Sequence, residues 1–142
     1  MTRIDFYHGA ADKVAAACRL LNEFYQDGRR VMVYAPDEAL AARLDTLLWS
    51  QPATGFLPHC RLNSPLATET PIIIGAQLEQ APHHDVLINL DGELPPSFSR
   101  FEQLVEIVGN DDADRAPARV RFKFYRDRGY AMQAHNLAGD TP

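Results

Sequence analysis

Six basic side chains crowd the stretch from Arg115 to Arg128: Arg115, Arg119, Arg121, Lys123, Arg126 and Arg128, with Phe122, Phe124 and Tyr125 threaded among them. Asp127 alone opposes them there, so six positive charges against one negative leave +5 locally, and the rest of a chain of formal net charge −5 carries −10. Guanidinium groups grip carboxylates and phosphates through paired, charge-assisted N–H donors. A ring beside them takes up an apolar side chain, so the stretch suits a carboxylate-bearing acidic peptide. It equally suits nucleic-acid phosphates. A solvated helix face normally mixes acids with bases, which this one does not.

Elsewhere the chemistry thins out. No Gly-x-Ser-x-Gly elbow occurs. The turn after the first strand, "YHGAADK", holds one glycine, and neither a Walker nor a dinucleotide loop is present. Asp37 and Glu38 read as acids in the first turn of a helix, and Asp91 with Glu93 in "NLDGEL" as a turn. His83 and His84 are neighbours that point to opposite faces of an extended segment, and His8, His59 and His135 have no metal-ligand spacing. Cys18 sits in an alanine-rich helical run as a small hydrophobe, and with Cys60 makes neither a disulfide framework nor a zinc site. No active site, metal or cofactor is expected, the rival reading being a nucleotide-binding α/β enzyme with an atypical first turn. Trp49 and Phe56, the latter in a Pro- and Gly-containing loop, read either as core groups or as anchors of a protein interface.

The elements that must position these residues follow from periodicity. Residues 3–7 alternate, and 10–27 carry Val14, Cys18, Leu21 and Tyr25 on one helical stripe stopped by Gly28. "RRVMVYA" reads as a strand and "PDEALAARLDTLLW" as a second helix, so two β-then-α units imply a parallel sheet with crossover helices. Residues 50–70 read as a long loop, 71–75 and 85–90 as strands, "EQLVEIV" as a strand of alternating type, and "YAMQAHNLA" as an edge strand or a segment that packs back. From Asp111 to Gly129 early acids and a terminal glycine predict a helix, though a strand is the rival reading. At ~100° per residue the helix gathers Arg115, Arg119, Phe122, Lys123 and Arg126 on one face, with Val120 and Phe124 on the far side. The expectation is one α/β domain over 1–142, Rossmann-like and three-layered, with a mostly parallel sheet and no phosphate loop. Apolar runs fall short of the ~20 residues of a spanning helix, and the N-terminus has no signal-like core, so a soluble cytoplasmic protein is expected.

An N-terminal "FY", the "GRRV" before strand two, "DE…A.RLD..LW…P..F.PH" from Asp37 to His59, "D.LI.L" from Asp85 and "AR.RFK.YR..G" from Ala118 to Gly129 together resemble the chi subunit family of bacterial DNA polymerase III. The resemblance implies a non-catalytic clamp-loader accessory protein whose fold is similar to nucleotide-binding folds but lacks the phosphate loop. It implies two partners. The psi subunit would meet a face centred on Trp49, Phe56 and Pro58, and a repair helicase would compete for that face. The acidic C-terminal tail of single-stranded DNA-binding protein, ending in Pro-Phe with a free carboxylate, would meet Arg119 as the main grip, with Phe122, Lys123, Arg115 and Arg126 around it and Val108 lining the apolar pocket. DNA would be reached only indirectly. Phe122 stands where the family often has tyrosine, so any bond from a phenolic hydroxyl is absent here.

Overall fold

Seven short strands, the central ones rich in Val, Ile and Leu, form one parallel sheet in the computed structural model, which describes residues 1–50 and 57–137. In chain order the elements are β1 (Arg3–Ala10), α1 (Lys13–Gln26), β2 (Val31–Tyr34), α2 (Glu38–Ser50), β3 (His59–Arg61), β4 (Ile72–Gly75), β5 (Val86–Asn89), β6 (Gln103–Gly109), α3 (Asp112–Asp127) and β7 (Met132–Asn136). The sheet runs β3-β4-β2-β5-β6-β1-β7, every pairing parallel. Parallel strands are covered on both faces, and alternate residues serve the two sides. Val31, Val33, Ile72, Ile74, Val86 and Ile88 pack with α1 and α2. Met32, Ile73, Leu87, Leu104, Ile4 and Phe6 pack with α3 and with the short 3-10 turns that carry Ala67, Leu78 and Phe98. The result is the three-layer, Rossmann-like α/β fold expected.

Most predicted elements stand within a few residues of their expected bounds. The α1 stripe is buried at Val14, Cys18 and Leu21. β1 runs past residue 7 to Ala10, with an irregularity in its pairing between Tyr7 and Ala10, where Gly9 takes φ +76°, a left-handed conformation that glycine adopts without strain. Two expectations are corrected. The loop over 50–70 contains β3, three residues that pair with β4 at the sheet edge, and a 3-10 turn at Ala67–Glu69. β6, expected to alternate, is buried along its whole length, polar Gln103 and Glu106 included, because α1 lies on one face and α3 on the other. Among the described residues, no helix is long and apolar enough to cross a membrane.

Candidate functional site

What α3 presents to solvent depends on how it is pinned to the sheet. Asp111 caps its first turn, Oδ1 accepting from Asp114 N at 2.9 Å. Asp114 in turn accepts from Gly109 N and from Lys13 Nζ, the latter at 3.1 Å. Gly129, with φ +82°, ends the element. Pro117 lies inside the helix and removes one backbone hydrogen bond, so side-chain anchoring matters the more. That anchoring is polar and buried. Glu106 of β6 accepts from Arg121 Nε at 3.2 Å, from Tyr125 Oη at 2.7 Å and from Asn89 Nδ2 at 2.9 Å. Arg121 Nη1 also donates to the Gly92 carbonyl at 2.6 Å. Burial pushes Glu106 upward from the usual carboxylate range, and Arg121, Tyr125 and Asn89 act against it. Burial and the neighbouring Glu106 raise Tyr125 too, which keeps its hydroxyl a donor.

With Ala118, Arg121 and Tyr125 turned inward, the adjacent face of α3 overhangs the β1 and β7 side of the sheet. A groove of about 320 Å³ opens there. Its helix wall is Arg115, Ala118, Arg119 and Phe122; its floor is Phe6 and His8 of β1, Val108 of β6 and Ala134 of β7. Phe122 meets Phe6 edge-on, centroids 5.2 Å apart. Arg119 is exposed and meets no acid among the described residues, and Arg115 reaches Asp112 only at 4.0 Å. Two guanidinium groups therefore stand over an apolar slot with their donors largely uncommitted, a combination suited to an apolar side chain next to a carboxylate.

Four sequence-derived residues, Val108, Arg115, Arg119 and Phe122, come together in this groove. Lys123 and Arg126 do not line it: Lys123 is exposed on the same helix, and Arg126 is exposed and paired with Asp127 at 3.4 Å. Arg121, counted in the local charge excess, is 4% exposed and neutralised by Glu106, so one charge of the run faces inward. Val120 is exposed on the far side. Phe6, His8, Ala118 and Ala134 were not singled out. Phe6 and His8 are two apart on a strand and so share a face, but nothing in the sequence alone brings β1 and β7 together under α3.

The second cluster is less complete. Trp49 is 64% exposed at the end of α2, and its ring lies 4.8 Å from that of His59, which sets aside the reading of Trp49 as a core group. Pro58 is half-buried beside β3. Phe56 lies outside the described residues.

At the carboxyl end of β1, where an open α/β sheet carries nucleotides, the chain satisfies itself. Asp12 Oδ1 accepts from Val14 N and Ala15 N at 3.0 and 3.3 Å, taking the helix N-terminal donors a phosphate uses. Its other oxygen pairs with Arg43. Among the described residues no group of three His, Cys, Asp or Glu is placed to hold a metal ion.

The family described as DNA polymerase III chi subunit, HolC, matches residues 1–133. This chain belongs to the DNA polymerase III chi subunit family. Relatives named DNA polymerase III subunit chi include one from Pseudomonas aeruginosa, 37% identical over 96% of this chain and 98% of its own length. One from Haemophilus influenzae is 31% identical over 85% of each chain, and one from Escherichia coli is 32% identical over 81% of this chain and 79% of its own. Among solved structures, a chain from S. cerevisiae dbp5 bound to nup159, gle1, ip6 and adp aligns with TM-score 0.58 at 15% identity, covering 96% of this chain and 42% of that one. At that identity the likeness concerns the fold alone. Membership of the chi family makes this chain a DNA polymerase III subunit.

Proposed function

We propose that this chi-family chain is a non-catalytic adaptor in the cytoplasmic replisome. It grips the acidic C-terminal tail of single-stranded DNA-binding protein in the groove under α3 and the psi subunit at a face centred on Trp49, Phe56 and Pro58, so tying the clamp loader to coated lagging-strand DNA. A repair helicase would compete for the Trp49 face, and contact with DNA would be indirect. The observation that carries the reading is the pairing of Arg119 and Arg115 with an apolar slot floored by Phe6 and Val108. A terminal phenylalanine fits the slot, its carboxylate meets the guanidinium groups, and upstream acids meet Lys123 and Arg126 on the exposed flank. Single-domain organisation over 1–142 belongs to the same reading.

The test is calorimetric titration of an acidic peptide ending in Pro-Phe, with a free or an amidated C-terminus, against wild type and Arg119→Ala. Loss of a desolvated guanidinium-to-carboxylate contact costs about 2 to 5 kcal/mol, so a thirtyfold or greater weakening is expected for the variant and for the amide, with affinity falling as salt rises. Equal affinity of wild type and Arg119→Ala would sink the site. Trp49→Ala should leave peptide affinity unchanged while weakening capture of purified psi subunit.

A further inference from the structure

His8 was not part of the arginine stripe, yet it shares the groove with it. The imidazole is half-buried on β1, two residues after Phe6 and on the same face, across the slot from Arg115 and Arg119. Among the described residues the charged groups around it are few. From α3 come Arg115 and Arg119, with fully exposed Asp112 held toward Arg115 at 4.0 Å; Asp114 is engaged by Lys13 and Gly109 N. Val108 of β6 and Ala134 of β7 bring no charge, and Asn136, opposite His8 in the β1 and β7 register, none either. The acid nearest in sequence, Asp5, belongs to the opposite face and is engaged by His135 and Gln103.

We propose that His8 completes the carboxylate grip from the sheet side, so that seating an acidic, carboxylate-terminated peptide in the groove brings a proton onto the His8 imidazole. This rests on the groove being the peptide site. The chemistry is that of linkage: a carboxylate entering opposite a histidine favours the protonated ring, histidine changes charge near neutral pH, and whatever favours the protonated form is itself favoured by it. The slot then holds three donors converging from two elements, two with fixed charge and one whose charge arrives with the ligand.

The experiment is isothermal titration of the intact chain with a short Asp-containing peptide ending in Pro-Phe, from pH 5.5 to 8, in two buffers of different ionisation heat. Wild type should bind more tightly as pH falls, by up to about tenfold per pH unit, the limit for one linked proton, with up to one proton taken up per peptide. In His8→Gln both the pH slope and the proton uptake disappear. In His8→Lys, with a fixed charge at the same place, binding stays tight and loses its slope, which separates lost charge from lost folding. A pH-independent wild-type affinity overturns the proposal, as does proton uptake that persists in His8→Gln. Either can occur while Arg119→Ala still loses binding, leaving the groove assignment standing. Failure of wild type to bind at any pH removes the groove assignment and the proposal with it.

Discussion

Arg121 Nε lies 3.2 Å from Glu106 Oε1, with both side chains almost wholly out of solvent, at 5% and 0% exposure. This ion pair fixes the rotation of α3. One turn of the helix separates Arg121 from Ala118 and from Tyr125, so holding that row against β6 leaves Arg115, Arg119 and Lys123 on the adjacent surface. The basic stretch thus has two roles, one arginine locking the helix and its neighbours offering charge.

Removing Arg121 leaves a buried carboxylate with its strongest partner gone. Arg121→Ala is expected to cost about 3 to 5 kcal/mol of folding stability, whereas Arg119→Ala, exposed and with no acid beside it among the described residues, should stay within about 0.5 kcal/mol. Urea denaturation of the two variants beside wild type checks this. Similar losses for both would mean that the helix is not held by the pair.

Gly75 ends β4 under the segment that follows β3. A Cβ there would lie 2.7 Å from Leu62 Cβ and 3.2 Å from Leu62 Cδ2. The nearer atom is fixed to the backbone, so the segment itself must shift. Gly75→Ala is therefore expected to destabilise by about 1 to 3 kcal/mol, the usual range for overpacking, and thermal melting reads it directly. An unchanged midpoint would show the Leu62 segment to be free to move.

How far the sequence could be read divides along physical lines. The α3 stripe was legible because Arg115, Arg119, Phe122 and Lys123 recur at three- and four-residue spacing, between early acids and Gly129. Arg121 was not, since a helical wheel cannot tell an outward arginine from an inward one until Glu106 is known to lie beneath it. β3 was hidden because three residues between irregular segments carry too little periodicity. Phe6, His8 and Ala134 entered the groove through the parallel pairing of β1 with β7, a contact between residues more than a hundred positions apart.

His83 is 3% exposed, and at most a weak hydrogen bond to the Thr70 backbone meets its buried ring nitrogens among the described residues. Burial first, then the charges of Arg30 and His84, push this histidine below its usual 6.5, with Asp85 opposing. The folded chain thus holds fewer protons here than the unfolded one. Stability from this group is complete above pH 6.5 and is lost as pH falls through the lower folded value. His83→Leu, which removes a buried and poorly satisfied polar ring, is expected to be neutral or stabilising at pH 7.5 and increasingly stabilising toward pH 5. Parallel stability curves for wild type and variant over that range would contradict it.

Asp12 gives the complementary case at the acid end. It caps α1 and pairs with Arg43. Burial would raise it, but hydrogen bonds from Arg43, Ala15 and Val14 and the Arg43 charge outweigh that and hold the carboxyl below its usual 3.8. The folded state here prefers the ionised form, so the contribution is fully present above pH 3.8 and is lost as pH falls through the lower folded value. The side chain is 39% exposed, so the Arg43 pair adds little and the cap dominates. Asp12→Ala should cost about 1 kcal/mol at pH 7, and the gap between variant and wild type should narrow as pH drops below 3.8. Chemical denaturation at pH 7, 4 and 3 measures that gap. A gap of constant size would place the stabilisation in something other than the charged cap.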